Sequence, residues 1–309
     1  MAEKKRINIK PIIGSLVVSI VVWFMVATDK IYSYQIRVPI EIVRLAEGKT
    51  LLDPIPDYAT IEVQGKGRSL IGIWFYDVRF KLEFPNVKRF YSIDLKNYLT
   101  FLDLPATFGL NVLEIIEPEP FDLRVDNLLS KKLPVVYKGN IQTEDGYIFI
   151  GVKFNPDSVK ISGPESKLNQ MNNIPTEKID FSGRKTSFAQ KIQLNNKEPK
   201  IINLTPPSVN VEFDIQRLVE LIIYEIPVKV INAPDNLEVT PIPNKLSLKI
   251  KGGEKIVASL SADQINAEIA FGNQYRPDPK KYAVSITTPK NIEWIESIPK
   301  TFTLQVKRK

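Results

Sequence analysis

Alternation of apolar and polar residues dominates the chain after residue 30. Runs such as Ile61-Glu62-Val63-Gln64, Val159-Lys160-Ile161-Ser162 and Leu248-Lys249-Ile250-Lys251 put every second side chain on one face, the mark of a strand with one buried side. Before residue 30 the pattern is different. Residues 12–28 read IIGSLVVSIVVWFMVAT, with no charge and few polar side chains. At 1.5 Å per residue this run reaches about 25 Å, near the short end of a membrane-spanning helix. Pro11 suits its first turn, where a missing N–H costs nothing. The pattern therefore predicts one apolar helix followed by a mainly β chain.

The flanks of the run give it a direction. Lys4, Lys5, Arg6 and Lys10 precede it, and Asp29 and Lys30 cancel after it. The positive-inside rule keeps such an N-terminus in the cytoplasm and places the chain beyond residue 30 on the other side. Residues 1–10 read as a basic cytoplasmic segment and 11–30 as a transmembrane anchor. Ile12, Leu16, Ile20, Trp23 and Phe24 are its membrane-facing residues, the last two near the far interface. A cleaved signal peptide shares this layout, but Ala27 has Met25 and Phe24 before it instead of the small residues a cleavage site wants. A buried core helix is disfavoured by the uncharged run directly after a basic N-terminus. Gly14, Ser15 and Ser19 are candidates for contact with a partner helix, since Ser15 and Ser19 form a small-xxx-small pair.

Four landmarks then recur three times in the same order. Pro39, Pro134 and Pro227, spaced by 95 and 93 residues, each open an alternating apolar run. Gly65, Gly163 and Gly252 each end a central strand. Ile93-Asp94-Leu95, Ile179-Asp180-Phe181 and a weaker Ile265-Asn266-Ala267 come next. Closing strands come after Pro118, Pro207 and Pro299. A proline at the first residue of a strand is where a ladder tolerates a missing donor. One short turn of helix is expected after each central strand, and Asp145-Gly146 reads as a hairpin turn. The period is too long for a solenoid and suits small domains. The expected organisation is three modules, 31–127, 128–217 and 218–309. Their joins, Leu128-Leu129-Ser130-Lys131-Lys132 and Gln216-Arg217-Leu218-Val219-Glu220, are short and free of Gly/Ser linker sequence, which predicts a semi-rigid, end-to-end rod.

Composition narrows the chemistry. The chain has no histidine and no cysteine. It lacks the commonest general base, thiol nucleophiles, disulfides and Cys-type metal sites. Most of the formal net charge of +7 lies at the ends, in residues 1–30 and in Lys307-Arg308-Lys309. The body between is nearly neutral, which argues against a nucleic-acid surface. Lys66-Gly67-Arg68-Ser69 lacks the spacing of a phosphate loop. Asp94 and Asp180 read as caps or turns, Asp235, Asp263 and Asp278 show no metal-loop spacing, and Asn155-Pro156-Asp157 is a turn. Ser182-Gly183-Arg184-Lys185 has the letters of a Ser–Lys pair but sits in an expected turn. No catalytic, cofactor or metal residue is assigned. Ile73-Trp74-Phe75-Tyr76 has two readings: core filling, or membrane-proximal contact of Trp74 and Tyr76 with lipid headgroups or a partner.

The middle module resembles a YbbR-like domain. The resemblance rests on Leu133-Pro134-Val135, Asp145-Gly146-Tyr147, Asn155-Pro156-Asp157-Ser158-Val159, Ile161-Ser162-Gly163-Pro164 and Ile179-Asp180-Phe181-Ser182-Gly183. The outer modules match in skeleton and lack the Gly-Pro pair. The resemblance implies an N-terminal transmembrane helix followed by three tandem small YbbR-like β domains outside the membrane. It also implies a regulatory role, because in some bacteria a member with this layout binds and regulates a membrane diadenylate cyclase, the enzyme that makes cyclic di-AMP. The family supplies no catalytic residues to carry over. The expected function is that of a non-enzymatic, single-pass inner-membrane protein with a periplasmic or extracytoplasmic ectodomain. It acts by protein–protein contact, with a membrane-protein partner and no nucleic acid. The alternative is a cell-envelope scaffold with no enzyme partner.

Overall fold

The computed structural model describes residues 9–272 and 281–308. Lys4, Lys5, Arg6, Asp278 and Lys309 lie outside the described residues. The described chain starts in a helix, α1 (Ile9–Asp29), and continues mainly as strands. The first are β1 (Ile31–Leu45), β2 (Lys49–Leu51), β3 (Tyr58–Lys66), β4 (Phe80–Phe84), β5 (Phe90–Ile93) and β6 (Asn111–Glu117). Next come β7 (Phe121–Val136), β8 (Ile141–Thr143), β9 (Tyr147–Asn155), β10 (Ser158–Pro164), β11 (Ile174–Pro175), β12 (Phe181–Arg184), β13 (Phe188–Gln193) and β14 (Asn203–Thr205). The last are β15 (Ser208–Ile231), β16 (Leu237–Ile242), β17 (Lys245–Gly253), β18 (Asn266–Ala270), β19 (Tyr282–Ala283), β20 (Ser285–Thr287), β21 (Ile292–Ile298) and β22 (Thr301–Arg308). Short helices α2 (Gly67–Ile73), α3 (Glu165–Leu168) and α4 (Glu254–Ala258) come directly after β3, β10 and β17.

The chain divides into two compact units. One comprises Met1–Lys131, Ile161–Met171 and Asn196–Leu204. Its main sheet has the order β4-β1-β3-β6, while β2 and β5 pair with the first part of β7. Val38, Ile40, Ile61, Val63, Phe80 and Leu82 fill its core, as their alternation requires. Polar side chains hold the two later segments: Asp126 accepts from the Ser166 N–H at 2.8 Å, Asn127 donates to Glu165 at 2.8 Å, and Lys167 pairs with Glu198.

The second unit comprises Lys132–Lys160, Asn172–Asn195 and Thr205–Lys309. Here β15 pairs with β9 and β13 through its first half, and with β17 and β18 through its second. A cluster of rings sits on its first half. Phe188 stacks on Phe213 at 4.6 Å, Phe181 meets both edge-on, and the Arg184 guanidinium lies 4.4 Å from the Phe188 centroid. The core of its second half contains Ile226, Val228, Leu248, Ile250, Val257, Ala267 and Phe302.

The recurring landmarks have recurring structural roles. Gly65, Gly163 and Gly252 each lie two residues before a short helix. A Cβ at Gly65 would lie 2.3 Å from Leu110 Cδ2. At Gly163 it would lie 3.1 Å from the Ile201 oxygen, and at Gly252 3.0 Å from Val257 Cγ2. The packing at each strand end is close enough that a larger residue must displace a neighbour, the Leu110 side-chain tip at Gly65 and backbone oxygens at Gly163 and Gly252.

The prolines depart from expectation. Pro39, Pro134 and Pro227 do not open strands; they sit inside β1, β7 and β15. Pro39 and Pro227 each mark a change of partner, and the residue after Pro134, Val135, begins the pairing with Ile174. Pro39 ends the antiparallel register with β3, and Ile40 begins the parallel one with β4. Likewise Pro227 faces Lys245, while Val228 begins pairing with Ala267. The next N–H donates in all three to the residue directly before a later strand, β3, β10 or β17: Ile40 to Asp57, Val135 to Asp157 and Val228 to Asn244, at 2.9, 2.8 and 3.0 Å. A residue without a donor costs the ladder nothing where the ladder changes hands. The joins also differ from simple connectors, since both lie within continuous strands, β7 and β15. Finally, Asp145-Gly146 does form a turn, with Gly146 at φ +82°. The strands it joins pair elsewhere, β8 with β12 and β9 with β15.

Candidate functional site

Every described residue of α1 before Ala27 is exposed, on all sides of the helix. Ile12, Leu16, Ile20, Trp23 and Phe24 are all at least half exposed. An apolar helix with no protein around it is long and apolar enough to cross a membrane. Its hydroxyls turn inward on its own backbone: Ser15 donates to the Ile12 carbonyl at 3.0 Å and Ser19 to the Ser15 carbonyl at 2.8 Å. Gly14 has nothing within 4 Å of where a Cβ would be. The three small residues thus leave a shallow surface with its polar atoms already satisfied.

The C-terminal end of α1 is tied to the first repeat without a linker. The Gly67 N–H donates to the Lys30 carbonyl at 3.0 Å, and the Tyr32 hydroxyl to the Ala27 carbonyl at 3.0 Å. Asp29 pairs with Lys66 at 2.7 Å and with Arg68 at 3.6 Å. A Cβ at Gly67 would lie 3.1 Å from Thr28 Cα. The start of α2 therefore sits against the last turn of α1.

From there α2 buries Gly67, Leu70 and Ile73. Its outward residues are Arg68, Ile71 and, just past its end, Trp74 and Phe75. Trp74 is 71 % exposed and Phe75 88 %. Tyr34 of β1 lies beside Trp74, ring centroids 6.4 Å apart. Together with Tyr32, Leu70 and Ile71 they line a shallow concavity of about 250 Å³. Tyr76 is less open, edge-on to Phe108 at 5.9 Å. Of the two readings of this aromatic run, Ile73 takes the core-filling one, while Trp74 and Phe75 stand outside the core. Sequence reasoning missed Phe75 and Ile71, whereas Tyr34, like Tyr32, is expected from the sequence as an interfacial aromatic beyond the apolar run. The available signal was a helix whose two faces, Leu70/Ile73 and Ile71/Trp74, are both apolar.

Elsewhere the polar residues do structural work. Asp94 accepts from the Lys96 N–H at 3.0 Å, capping a 3-10 turn. Asp180 accepts from the Asn140 N–H at 2.7 Å, which, with Lys178 alongside, holds its carboxyl below the usual range. Ser182, Gly183 and Arg184 lie on β12, not on a helix. A wider cleft of about 970 Å³ presents Lys49, Lys88 and Arg89 beside Tyr91 and Tyr98. Burial, and then a 2.9 Å bond to Tyr91, push the Tyr98 phenol up to about 12. Glu83 is the one carboxylate lining that cleft. Among the described residues no group of three acidic, His or Cys side chains is placed to hold a metal ion.

A protein-family model described as YbbR-like protein matches residues 133–213. No curated protein matches the chain. Among solved structures, a YbbR-like protein from Streptococcus pneumoniae TIGR4 is similar at 16 % identity and TM-score 0.42, over 61 % of this chain and 96 % of that one. The Ybbr-like domain of the lmo2119 protein from Listeria monocytogenes is similar at 22 % identity and TM-score 0.26, over 29 % of this chain and 95 % of that one. The Streptococcus thermophilus protein SuR18C is similar at 19 % identity and TM-score 0.25, over 29 % of this chain and 86 % of that one.

Proposed function

Since the chain carries a YbbR-like domain over residues 133–213, we propose that it is a non-enzymatic, single-pass membrane protein that acts by contact with a second membrane protein. The observation that carries this reading is α1: apolar on every side, exposed along its length, and joined to the first repeat through Gly67, Tyr32 and Lys66. On this reading the basic residues before α1 stay in the cytoplasm. The three repeats, 31–127, 128–217 and 218–309, are YbbR-like domains in the periplasm or cell exterior. The partner class that the family resemblance supplies is a membrane diadenylate cyclase, whose activity this chain regulates. Gly14, Ser15 and Ser19 form the face on which a partner helix approaches, since small residues let two backbones come close.

The test is crosslinking and co-purification of the full chain from native membranes, beside the variant carrying Ser15→Leu and Ser19→Leu. The wild type brings down a membrane protein, and the double variant loses most of it. Unchanged co-purification makes α1 an anchor only. The scaffold reading is favoured by one feature, the continuous strands at the joins. Recovery of no membrane protein at all decides for it.

A further inference from the structure

The same short helix occurs three times, after Gly65, Gly163 and Gly252, and each copy buries an equivalent residue: Leu70, Leu168 and Val257. The outward faces are not equivalent. Around α3 the exposed residues are Ser166, Asn169 and Gln170, and around α4 Glu254, Lys255, Ala258 and Ser259. Around α2 they are Arg68, Ile71, Trp74, Phe75 and Tyr76. A short helix on a domain surface carries polar residues outward unless something apolar meets it. Two of the three copies obey that rule, and the exception is the copy touching α1.

We propose that α2 and the adjoining Trp74-Phe75 form a second membrane contact, seated in the lipid headgroup layer beside the point where α1 leaves the bilayer. This rests on the reading of α1 as a membrane anchor. Gly67 lies against Thr28, the last residue before the charges that end the apolar run. The seven residues of α2 are about 10 Å long, so Trp74 at its end stands no more than about that far beyond the level of Thr28, against a headgroup layer of roughly 5–8 Å in one leaflet. Trp and Tyr favour that layer because each has an apolar body and a polar tip. The charge fits as well. Asp29 pairs with Lys66 and, at longer range, with Arg68, so Lys30, Lys66 and Arg68 outnumber it and leave an exposed positive excess complementary to lipid phosphates. The occupant is a lipid surface, and the contact fixes how the first repeat stands on the membrane.

Tryptophan quenching in vesicles tests it. The chain has three tryptophans, at 23, 74 and 294. Full-length W23F/W294F reports Trp74 alone, and W74F/W294F reports Trp23 alone. Both are reconstituted in phosphatidylcholine–phosphatidylglycerol vesicles with and without lipids brominated near the headgroup end of the chains. Trp23 emission is expected to be quenched, and Trp74 emission to fall about twofold with little effect of aqueous iodide. A quenched Trp23 beside a Trp74 open to iodide and untouched by bromine overturns the proposal alone. Trp74 shielded from both, with crosslinking to a second protein chain, also overturns it and makes the patch a protein interface. An unquenched Trp23 overturns the anchor reading and this proposal with it.

Discussion

A methyl group added at Gly163 would sit 3.1 Å from the Ile201 carbonyl oxygen and 3.2 Å from Leu168 Cδ1. Neither neighbour yields easily, because one is backbone and the other is a fully buried side chain. Gly163→Ala is therefore expected to destabilise the fold by about 1–3 kcal/mol, read as a lower urea midpoint with an unchanged slope. Gly151, which has open space around it, is the control and tolerates alanine far better. The glycines recur in the sequence at fixed places, so their importance is legible there. The reason for it is not, since Ile201 lies far along the chain and only folding brings its oxygen to Gly163. Trp74 shows the converse limit. An aromatic run in a β protein reads the same whether it fills a core or faces outward, and the difference depends on which side of α2 meets the sheet.

The short helices are too brief to be stable alone, so what holds their first turns matters. For α3 the holder is Asp126, whose carboxylate accepts the Ser166 N–H at 2.8 Å. That backbone bond, and then the Ser166 side chain, keep the Asp126 carboxyl below the usual range. A lowered carboxyl pKa contributes stability that is present above the ordinary value, about 4, and is lost as pH falls through it and below. Asp126→Ala is expected to cost about 1–2 kcal/mol at neutral pH. The gap between wild type and variant closes as the unfolding series is carried below about pH 4. A gap that stays constant with pH would assign the effect to packing. Gln216 plays the same part for α4, accepting the Lys255 N–H at 3.0 Å. At this scale the strands were legible from alternation, and the short helices from the glycines. The role of the prolines was not, because a change of strand partner depends on where β4, β11 and β18 arrive, and those residues are remote from Pro39, Pro134 and Pro227.

Taken whole, the molecule concentrates its excess basic charge near its chain ends, before and within the first turns of α1 and at Lys307 and Arg308 on β22. The basic residues at the N-terminus flank an apolar helix, and most of the described ion pairs are exposed and contribute little to stability. The repeats rest instead on buried alternating side chains and on backbone ladders that pass from one partner to the next along a single strand. β15 is the longest case. Arg217 pairs with Tyr147 of β9, and the next residue, Leu218, pairs with Gly253 of β17. A protease can cut only backbone that leaves its ladder and enters an active site extended. Arg217 and Lys132 are exposed, and trypsin cleaves after such residues, yet both lie inside strands. Limited digestion followed by mass spectrometry is expected to leave both joins intact, whereas flexible connectors would be cut there first. The bonds within β7 and β15 are then among the last to be lost, and a nick elsewhere does not release the chain piece by piece at these strands.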